Sequence, residues 1–370
     1  MGSDKTAASA RIRLSPHVMI YFQNGRLVFE NYITKRKFYG TSDTLVLLRR
    51  FGRPHTASEV VKAFRKHTSR SILNSIQNLL DSGLLIAEGS EDDLLSKRLS
   101  TSWLWPNPSR YYHFASKLQG PFSTPEELKK FYVKNLKGRP QPGIYKNYST
   151  KSRVRLLPGK ATEAPLFATM RRRQTTRAFS GAPISFRQLS HIMFYTWGKL
   201  STIPTLEFGR LLHKTSPSAG ARHPTEVYAV INNVTGIEPG IYHYSVEHHS
   251  LELLRKGDFK EKCVEFAAGQ SWTREASVFF VMTAVVARTA WKYRSTRVYR
   301  AFLLDVGHLS QTFLLVSTAL GLGSFCIGII SDAMIEEELG LDGVNEIALF
   351  AVGVGHPAKA ASEKTLERIV

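Results

Sequence analysis

Apolar and polar positions alternate along residues 16–40, PHVMIYFQNGRLVFENYITKRKFYG, where the runs VMIYF and RLVFENY flank QNG. Period-two alternation around Asn-Gly predicts a β-hairpin. The period then changes. TSDTLVLLRRFG carries a helix start at Thr41–Asp43 and a stop at Gly52, and TASEVVKAFRKH opens with Thr56 and Glu59 in capping-box spacing. Ile72, Ile76, Leu79 and Leu80 recur at helical spacing up to Gly83, and LLIAEG reads as a short strand. A hairpin, three helices and a strand within residues 1–90 predict a small winged-helix-like module.

Residues 91–165 lose this regularity. WPNPSRYY, GPFSTPEELKKFY and KGRPQPGIYKNYSTKSRVRLLPGK are punctuated by proline and predict a connector with one short helix over 125–134. From 166 to 370 the pattern is mixed. SFRQLSHIMFYTWG predicts a helix, EVYAVIN a strand, and GIYHYSVEHHSLELLRKGD a hairpin whose tip, EHH at 247–249, is expected in solvent. SVFFVMTAVV is apolar on both faces and predicts a central strand. YRAFLLDVGHLSQTFLLVSTALGLG predicts a long helix, apolar nearly all round and so expected to be buried. DAMIEEELG adds a short helix and EIALFAVGVG a last strand. The class is α+β.

Charge changes the picture at the N-terminal end. The chain has 370 residues and a net charge of +20. Residues 1–170 hold 28 lysines and arginines against 12 acids (+16), and residues 171–370 hold 22 against 18 (+4). Such an excess draws an acidic partner: a peptide, a nucleic acid or an anionic surface. Lysines interleaved with tyrosines in the connector also suit phosphate contact and base stacking, which keeps nucleic acid open as a second partner. The longest apolar run, near 278–287, falls short of the roughly 18 residues of a membrane span. The N-terminus has no apolar signal core, and the two cysteines, Cys263 and Cys326, make no framework and no zinc pattern. A cytoplasmic protein without membrane contact is expected.

Four stretches carry candidate chemistry. RRRQTTRAF (171–179) concentrates guanidinium and hydroxyl groups, which suits a phosphate. SPSAGARHP (216–224) places small residues just before a strand, where backbone can approach a flat ligand. GLGSFCIG (321–328) and AVGVGHPAK (351–359) add glycines and Lys359. Each is weak alone. A fifth, WKYRSTRVYRAFLLDVGH (291–308), sets Lys292 and Tyr293 side by side behind Trp291, with Asp305 and His308 three apart on one helix face, as for a buried hydrogen-bonded pair. His223 and His356 fall in loops, and no His/carboxylate spacing indicates a metal.

Taken together and in this order, these stretches and GIYHY (240–244) resemble the nitroreductase-like flavoenzymes. Within them they resemble the SagB-type azoline dehydrogenases of thiazole- and oxazole-forming peptide pathways. The resemblance spans about 171–359. It implies a central mixed sheet flanked by helices, and FMN bound between the subunits of a homodimer. The family's phosphate motif falls on Arg173, Gln174, Thr175, Thr176 and Arg177. Gln174 replaces an arginine and Thr175 a serine, so one charge is lost that Arg172 or Lys359 would have to supply. Pro217, Ser218, Ala219, Gly220 and Ala221 match the loop along the isoalloxazine. Ile327 and Gly328 match the segment near the reactive N5, and Lys359 a phosphate contact.

The resemblance further implies that Lys292 and Tyr293 are catalytic. Aromatising a thiazoline removes a hydride from one ring carbon and a proton from its neighbour. A lysine takes that proton only when neutral, so its pKa must be lowered. Burial behind Trp291 and the cations Arg294 and Arg297 are expected to lower it, with Tyr293 orienting the substrate or relaying the proton. The N-terminal module resembles winged-helix domains that accept a leader peptide as an added strand, which implies a leader-bearing precursor peptide as partner and a cyclodehydratase beside it. Two rival readings stay open: an NAD(P)H-dependent nitroreductase or quinone reductase, and a catalytically idle scaffold that binds peptide or nucleic acid.

Overall fold

The computed structural model describes residues 10–64, 68–103, 105–118, 124–150, 152–159 and 163–358. Lys359 lies outside them. The chain divides into two compact units, Met1–Gly120 and Pro121–Val370.

In the first unit β1 (Ile12–Leu14) is followed by an antiparallel meander of β2 (Val18–Gln23), β3 (Arg26–Asn31) and β4 (Arg36–Gly40). The expected hairpin is therefore three strands. Asn24 and Gly25 take φ of 50° and 73°, the left-handed pair that a two-residue turn needs, and they set Gln23 opposite Arg26. The third strand, RKFYG, was hidden because charged residues face solvent along it. Next come α1 (Ser42–Arg50), α2 (Ala57–Ala63), α3 (Ser69–Asp81) and β5 (Leu85–Ala87), which pairs antiparallel with β1. The Thr56–Glu59 capping box forms in both directions, at 3.3 and 2.8 Å. Phe29 of the meander packs with Leu47, Leu48, Phe51, Ile72, Ile76 and Leu79 of the helices, and that shared burial holds the unit together. The unit closes with α4 (Glu91–Ser102) and α5 (Asn107–Ala115).

The second unit opens with α6 (Pro125–Leu136), β6 (Arg153–Arg155), α7 (Leu166–Arg172) and α8 (Phe186–Trp197). A hairpin of β7 (Ser201–Thr205) and β8 (Gly209–His213) precedes β9 (Thr225–Ile231), β10 (Gly240–Ser245) and β11 (Ser250–Lys256). The chain ends with α9 (Lys260–Phe266), β12 (Val278–Val285), α10 (Val286–Ala290), α11 (Tyr299–Ala319), β13 (Gly323–Ile327), α12 (Asp332–Leu339) and β14 (Glu346–Gly355). Among the described residues the main sheet has seven strands in the order β13-β14-β12-β9-β10-β11-β6. Neighbouring strands pair antiparallel, and the parallel component of the expected mixed sheet is confined to single bridges such as Thr175 to Ser324.

Alternate residues of the central strands feed two cores. Val227, Ala229, Ile231, Phe280 and Met282 pack under α8 and α11 with Trp197 and Phe313. Tyr228, Val230, Phe279 and Val281 face the other way, with Phe266, Phe325 and Ile335. Burial on both faces is why SVFFVMTAVV has no polar alternation. Helix α11 is buried only on one side: Phe302, Val306, Leu309 and Phe313 are covered, while Leu303 and Leu304 are exposed beside Tyr299. The expectation of a fully buried helix fails there. No helix among the described residues is long and apolar enough to cross a membrane.

The second core turns polar toward one end. Buried Glu226 accepts hydrogen bonds from His243 at 2.9 Å and from Arg288 at 2.5 Å, and His243 also meets Glu252 at 3.0 Å. Glu346 accepts from Tyr228, Thr283 and Lys146 at 2.6–2.8 Å. Buried charges persist when they are paired and hydrogen-bonded in this way. Burial alone would lower the His243 imidazole, but Glu226 and Glu252 outweigh it and raise its pKa. Burial would raise Glu226, but Arg288 and His243 together outweigh it and bring the carboxyl down to about 2.

Candidate active site

The loop 216–223 is fastened to one face of α11. Ser218 Oγ–H donates to Asp305 Oδ2 at 2.5 Å, and the Ala219 N–H points at Oδ1 at 3.4 Å. One turn on, His308 Nδ1 meets the Pro217 carbonyl at 3.3 Å, and after another turn Thr312 shares a 2.6 Å hydrogen bond with Ser216. Positions 305, 308 and 312 follow the i, i+3, i+7 spacing of one helix face. Asp305 and His308 each bond the loop, and no hydrogen bond joins them among the described residues, which corrects the expected hydrogen-bonded pair. Burial raises the Asp305 carboxyl, against the Ser218 and Ala219 hydrogen bonds.

The loop backbone is left-handed at Gly220 (φ 61°), Ala221 (φ 52°) and His223 (φ 44°). Two of these are not glycine, and such strain persists only where the surroundings enforce it. The restraints are visible: the His223 N–H donates to Ser218 Oγ at 3.0 Å, and Arg222 donates to the Gly220 and Phe208 carbonyls at 3.2 Å each. Burial first, then the cations Lys214, Arg222 and Arg288, bring the His223 imidazole down to about 3, so it is neutral at neutral pH.

Lys292 and Tyr293 follow α10, whose Arg288 is anchored to Glu226, to the Gly143 carbonyl at 3.0 Å and to the His223 carbonyl at 3.4 Å. Tyr293 packs on Gly220 so closely that a β-carbon there would clash with the phenol oxygen. Lys292 Nζ lies 3.9 Å from the Phe208 ring centroid, 5.2 Å from that of Tyr293 and 5.6 Å from that of Tyr132. The Tyr132 and Tyr293 rings meet edge to face at 5.0 Å. Among the described residues no carboxylate lies within ion-pair distance of Lys292. Burial, and then the Arg222 guanidinium, hold the Lys292 amine below its ordinary range. The π-faces pull the other way, because they favour the ammonium.

This corrects two expectations. The neighbouring cation is Arg222, while Arg294 and Arg297 are exposed. Trp291 shields Arg222 at 5.2 Å and donates to the Arg139 carbonyl; the rings over Lys292 are Phe208 and Tyr132. Sequence reading missed both. Tyr132 lies on α6, 160 positions from Lys292 in a helix with no motif, and it reaches the site because Lys129 pairs with Glu207 at 2.6 Å and Gln141 exchanges hydrogen bonds with Arg210. His249 also departs from expectation. It turns inward from the hairpin tip, bonding Tyr244 and the Leu157 carbonyl.

A second group forms at the β13 edge. Thr175 bridges Ser324, and the Thr176 N–H donates to the Ser324 carbonyl at 2.9 Å. This pairing brings Arg173 and Arg177 to Cys326, two residues along β13, where they are the charges that act on its thiol. Gln174 is exposed; Ile327 is buried and Gly328 exposed just beyond. Neither Arg173 nor Arg177 has a carboxylate partner among the described residues, and buried Ser324 Oγ has no hydrogen-bond partner. Unpaired guanidiniums beside an unsatisfied hydroxyl fit an anionic group such as a phosphate. The structure therefore gathers Arg173, Gln174, Thr175, Arg177, Ile327 and Gly328 in one group. It gathers Pro217, Ser218, Ala219, Gly220, Ala221, Lys292 and Tyr293 in another. No hydrogen bond or ring contact joins the two groups among the described residues.

A model described as the nitroreductase family matches residues 170–356, half of the chain. The chain belongs to the nitroreductase family. The candidate nitroreductase MJ1384 of Methanocaldococcus jannaschii is 33% identical over 184 residues, which cover 50% of this chain and 87% of that protein. The trifolitoxin-processing protein TfxB of Rhizobium leguminosarum bv. trifolii is 26% identical over 317 residues, 81% of this chain and 84% of its own length. In fold, the candidate nitroreductase from Anabaena variabilis superposes with a TM-score of 0.50 at 23% identity, over 65% of this chain and 50% of that one. The α+β fold is thus the nitroreductase-like fold preceded by a small β/helix unit. The family span begins at residue 170, so α6 and Tyr132 precede it.

Proposed function

We propose that this chain is an FMN-dependent dehydrogenase that oxidises thiazoline or oxazoline rings to thiazole or oxazole on a leader-bearing peptide. The observation that carries the reading is the Lys292 amine. It is half-buried among aromatic rings, has no carboxylate partner among the described residues, and stands beside Tyr293, which touches the 217–221 loop.

FMN would be held at its phosphate by Arg173, Thr175 and Arg177 and along its ring by Pro217–Ala221, and it supplies the hydride acceptor. The chain's own residues do the rest. Lys292, whose pKa burial and Arg222 lower, accepts the proton from the ring carbon at Nζ when its amine is neutral. Tyr293 orients the ring through its hydroxyl. Phe208 and Tyr132 keep water from the amine. The fixed loop presents a backbone that needs no rearrangement when the substrate arrives.

Two further observations support the partners. Leu166, Phe167 and Met170 of α7 are exposed, Phe167 at 75%, beside the exposed Leu303 and Leu304 of α11. An apolar face of that kind suits a second copy of the chain, which would also bring the two residue groups into one site. In the first unit β2 is an edge strand with Ile20 and Phe22 exposed, a ready template for a leader peptide added as a further strand. The relative named for trifolitoxin processing aligns across both units. A cyclodehydratase would supply the azoline.

The test is the visible spectrum of the purified protein with identification of the released chromophore, followed by turnover of an azoline peptide under oxygen. FMN at one per subunit with azole formation is expected. A protein that stays colourless after FMN is added would sink the redox reading. Rapid bleaching by NADPH with nitroaromatic turnover, and no azole, would establish the nitroreductase instead.

A further inference from the structure

On the first unit a groove of about 710 Å³ is lined by Val46, Arg49, Arg50, Gly52, Arg53 and His55. It lies where α1 ends and the chain turns toward α2. The walls are cationic: Arg49, Arg50 and Arg53 are exposed. Among the described residues none of the three has an ion-pair partner or donates a hydrogen bond to protein. Each guanidinium carries five N–H donors in a planar fork, so this groove concentrates unused donors suited to carboxylate or phosphate. Nearby guanidiniums differ. Arg13 pairs with Asp93 at 2.8 Å, and Arg11 donates to the Pro54 carbonyl at 2.9 Å.

The acid that meets the groove's His55, Glu59, does not ion-pair with its arginines. Glu59 is engaged by the Thr56 N–H at 2.8 Å and by His55 at 3.5 Å. The floor is also rigid. Ile12 and His55 exchange backbone hydrogen bonds at 2.8 and 2.9 Å, and the Leu14 N–H donates to the Phe51 carbonyl at 2.7 Å. These bonds stitch the loop 51–55 to β1, while Phe51 is fully buried. The arginines therefore project from a fixed frame, and little ordering is left for a ligand to impose on the backbone.

We propose that this groove binds an acidic peptide segment. Its volume far exceeds what a single inorganic phosphate fills, so a chain with several anionic groups is the better match. Val46, half exposed, gives the groove an aliphatic wall, and Leu45 beside it is exposed as well. Aliphatic side chains alternating with carboxylates match such a surface. No phenylalanine, tyrosine or tryptophan lines the groove to stack a base, and the one ring that does, the His55 imidazole, is held 3.5 Å from the Glu59 carboxylate, so the geometry favours peptide over nucleic acid. The groove shares no lining residue with the β2 edge or with the redox residues. It deepens the proposed function only in naming the chemistry of the peptide partner.

The experiment uses the full chain and fluorescence anisotropy with a short labelled peptide of repeating Glu-Ala-Asp-Leu. Competitors are the neutral Gln-Ala-Asn-Leu analogue, a single-stranded oligonucleotide and inorganic phosphate. Arg49→Glu/Arg50→Glu/Arg53→Glu reverses the wall, and the Gln triple variant neutralises it should the first lose its fold. Expected are saturable binding that weakens with salt, a loss of about tenfold or more in the Glu variant and a smaller loss in the Gln variant. FMN uptake should be unchanged in both.

Equal binding by wild type and both variants would overturn the assignment, even if azole formation is confirmed. Tighter binding of the oligonucleotide at the same salt would make the groove a nucleic-acid surface and overturn it. Displacement by phosphate as effectively as by peptide would reduce it to a simple anion site. Loss of peptide binding in the variants of a protein that holds no flavin would support the groove while the redox reading fails.

Discussion

Tyr293 lies directly over Gly220. A β-carbon on that glycine would run into the phenol oxygen and sit 3.1 Å from the ring carbon that carries it. The residue pair and the loop singled out in separate parts of the sequence are therefore one packed unit. That contact makes the loop sensitive to a single methyl group.

Gly220→Ala should destabilise the protein by about 1–3 kcal/mol, because it adds a clash to a left-handed backbone of φ 61°. The Tyr293→Phe change removes the oxygen that the methyl meets. The double variant should recover part of the loss, so the two changes should not add. Thermal unfolding of the two single variants and the double gives the cycle. Additive losses would mean that the strain is backbone only.

Lys292→Ala should lower kcat by about 10²–10⁴-fold while FMN content holds, since a general base contributes on that scale. With Lys292 acting when neutral, the rate should rise as pH rises through its pKa. Arg222 is one of the two causes that lower that pKa. Arg222→Gln keeps a donor for the Gly220 and Phe208 carbonyls and removes the charge, so the limb should move to higher pH. A pH–rate profile identical to wild type would assign the proton to another group.

Asp305→Ala should weaken FMN binding by about tenfold and cost about 1–3 kcal/mol of stability, because the Ser218 hydroxyl and Ala219 N–H lose their common acceptor. Asp305→Asn retains one acceptor oxygen and should recover part of both. Flavin titration by fluorescence quenching reads the first effect and urea unfolding the second.

Lys214 precedes the loop and is buried, and burial lowers its amine to about 8 against 10.5 in the open chain. Below pH 8 both states hold the proton and the folded state carries the full cost of the buried charge. Between pH 8 and 10.5 the unfolded chain binds more protons than the folded one, so stability contributed here rises with pH. Lys214→Met should raise stability at pH 7, and the gain should shrink by up to about 3 kcal/mol as pH approaches 10.5. Urea unfolding of both proteins across that range checks it; a constant difference would place the amine in solvent.

The legible part of this protein was local. Asn24–Gly25 dictated a hairpin turn, Thr56–Glu59 capped a helix, and an unbroken apolar run of strand length predicted a strand covered on both faces. Order along the chain sufficed to recognise the family, because the phosphate-type arginines, the small-residue loop and the Lys292–Tyr293 pair each occupy a short contiguous stretch. Residues separated by long stretches were not legible. Tyr132 and Phe208 reach Lys292 only after α6 and the β7–β8 hairpin are pinned by Lys129–Glu207 and Gln141–Arg210. Asp305 and His308 signalled a pair by spacing, yet folding aimed both at the loop. Glu226 opens the EVYAVIN strand, and only the convergence of Arg288 and His243 makes it a buried anchor. Sequence fixes what neighbouring dihedrals and hydrophobic periods dictate. Which ring shields an amine, and which cation lowers its pKa, depends on distances through space that no spacing along the chain encodes.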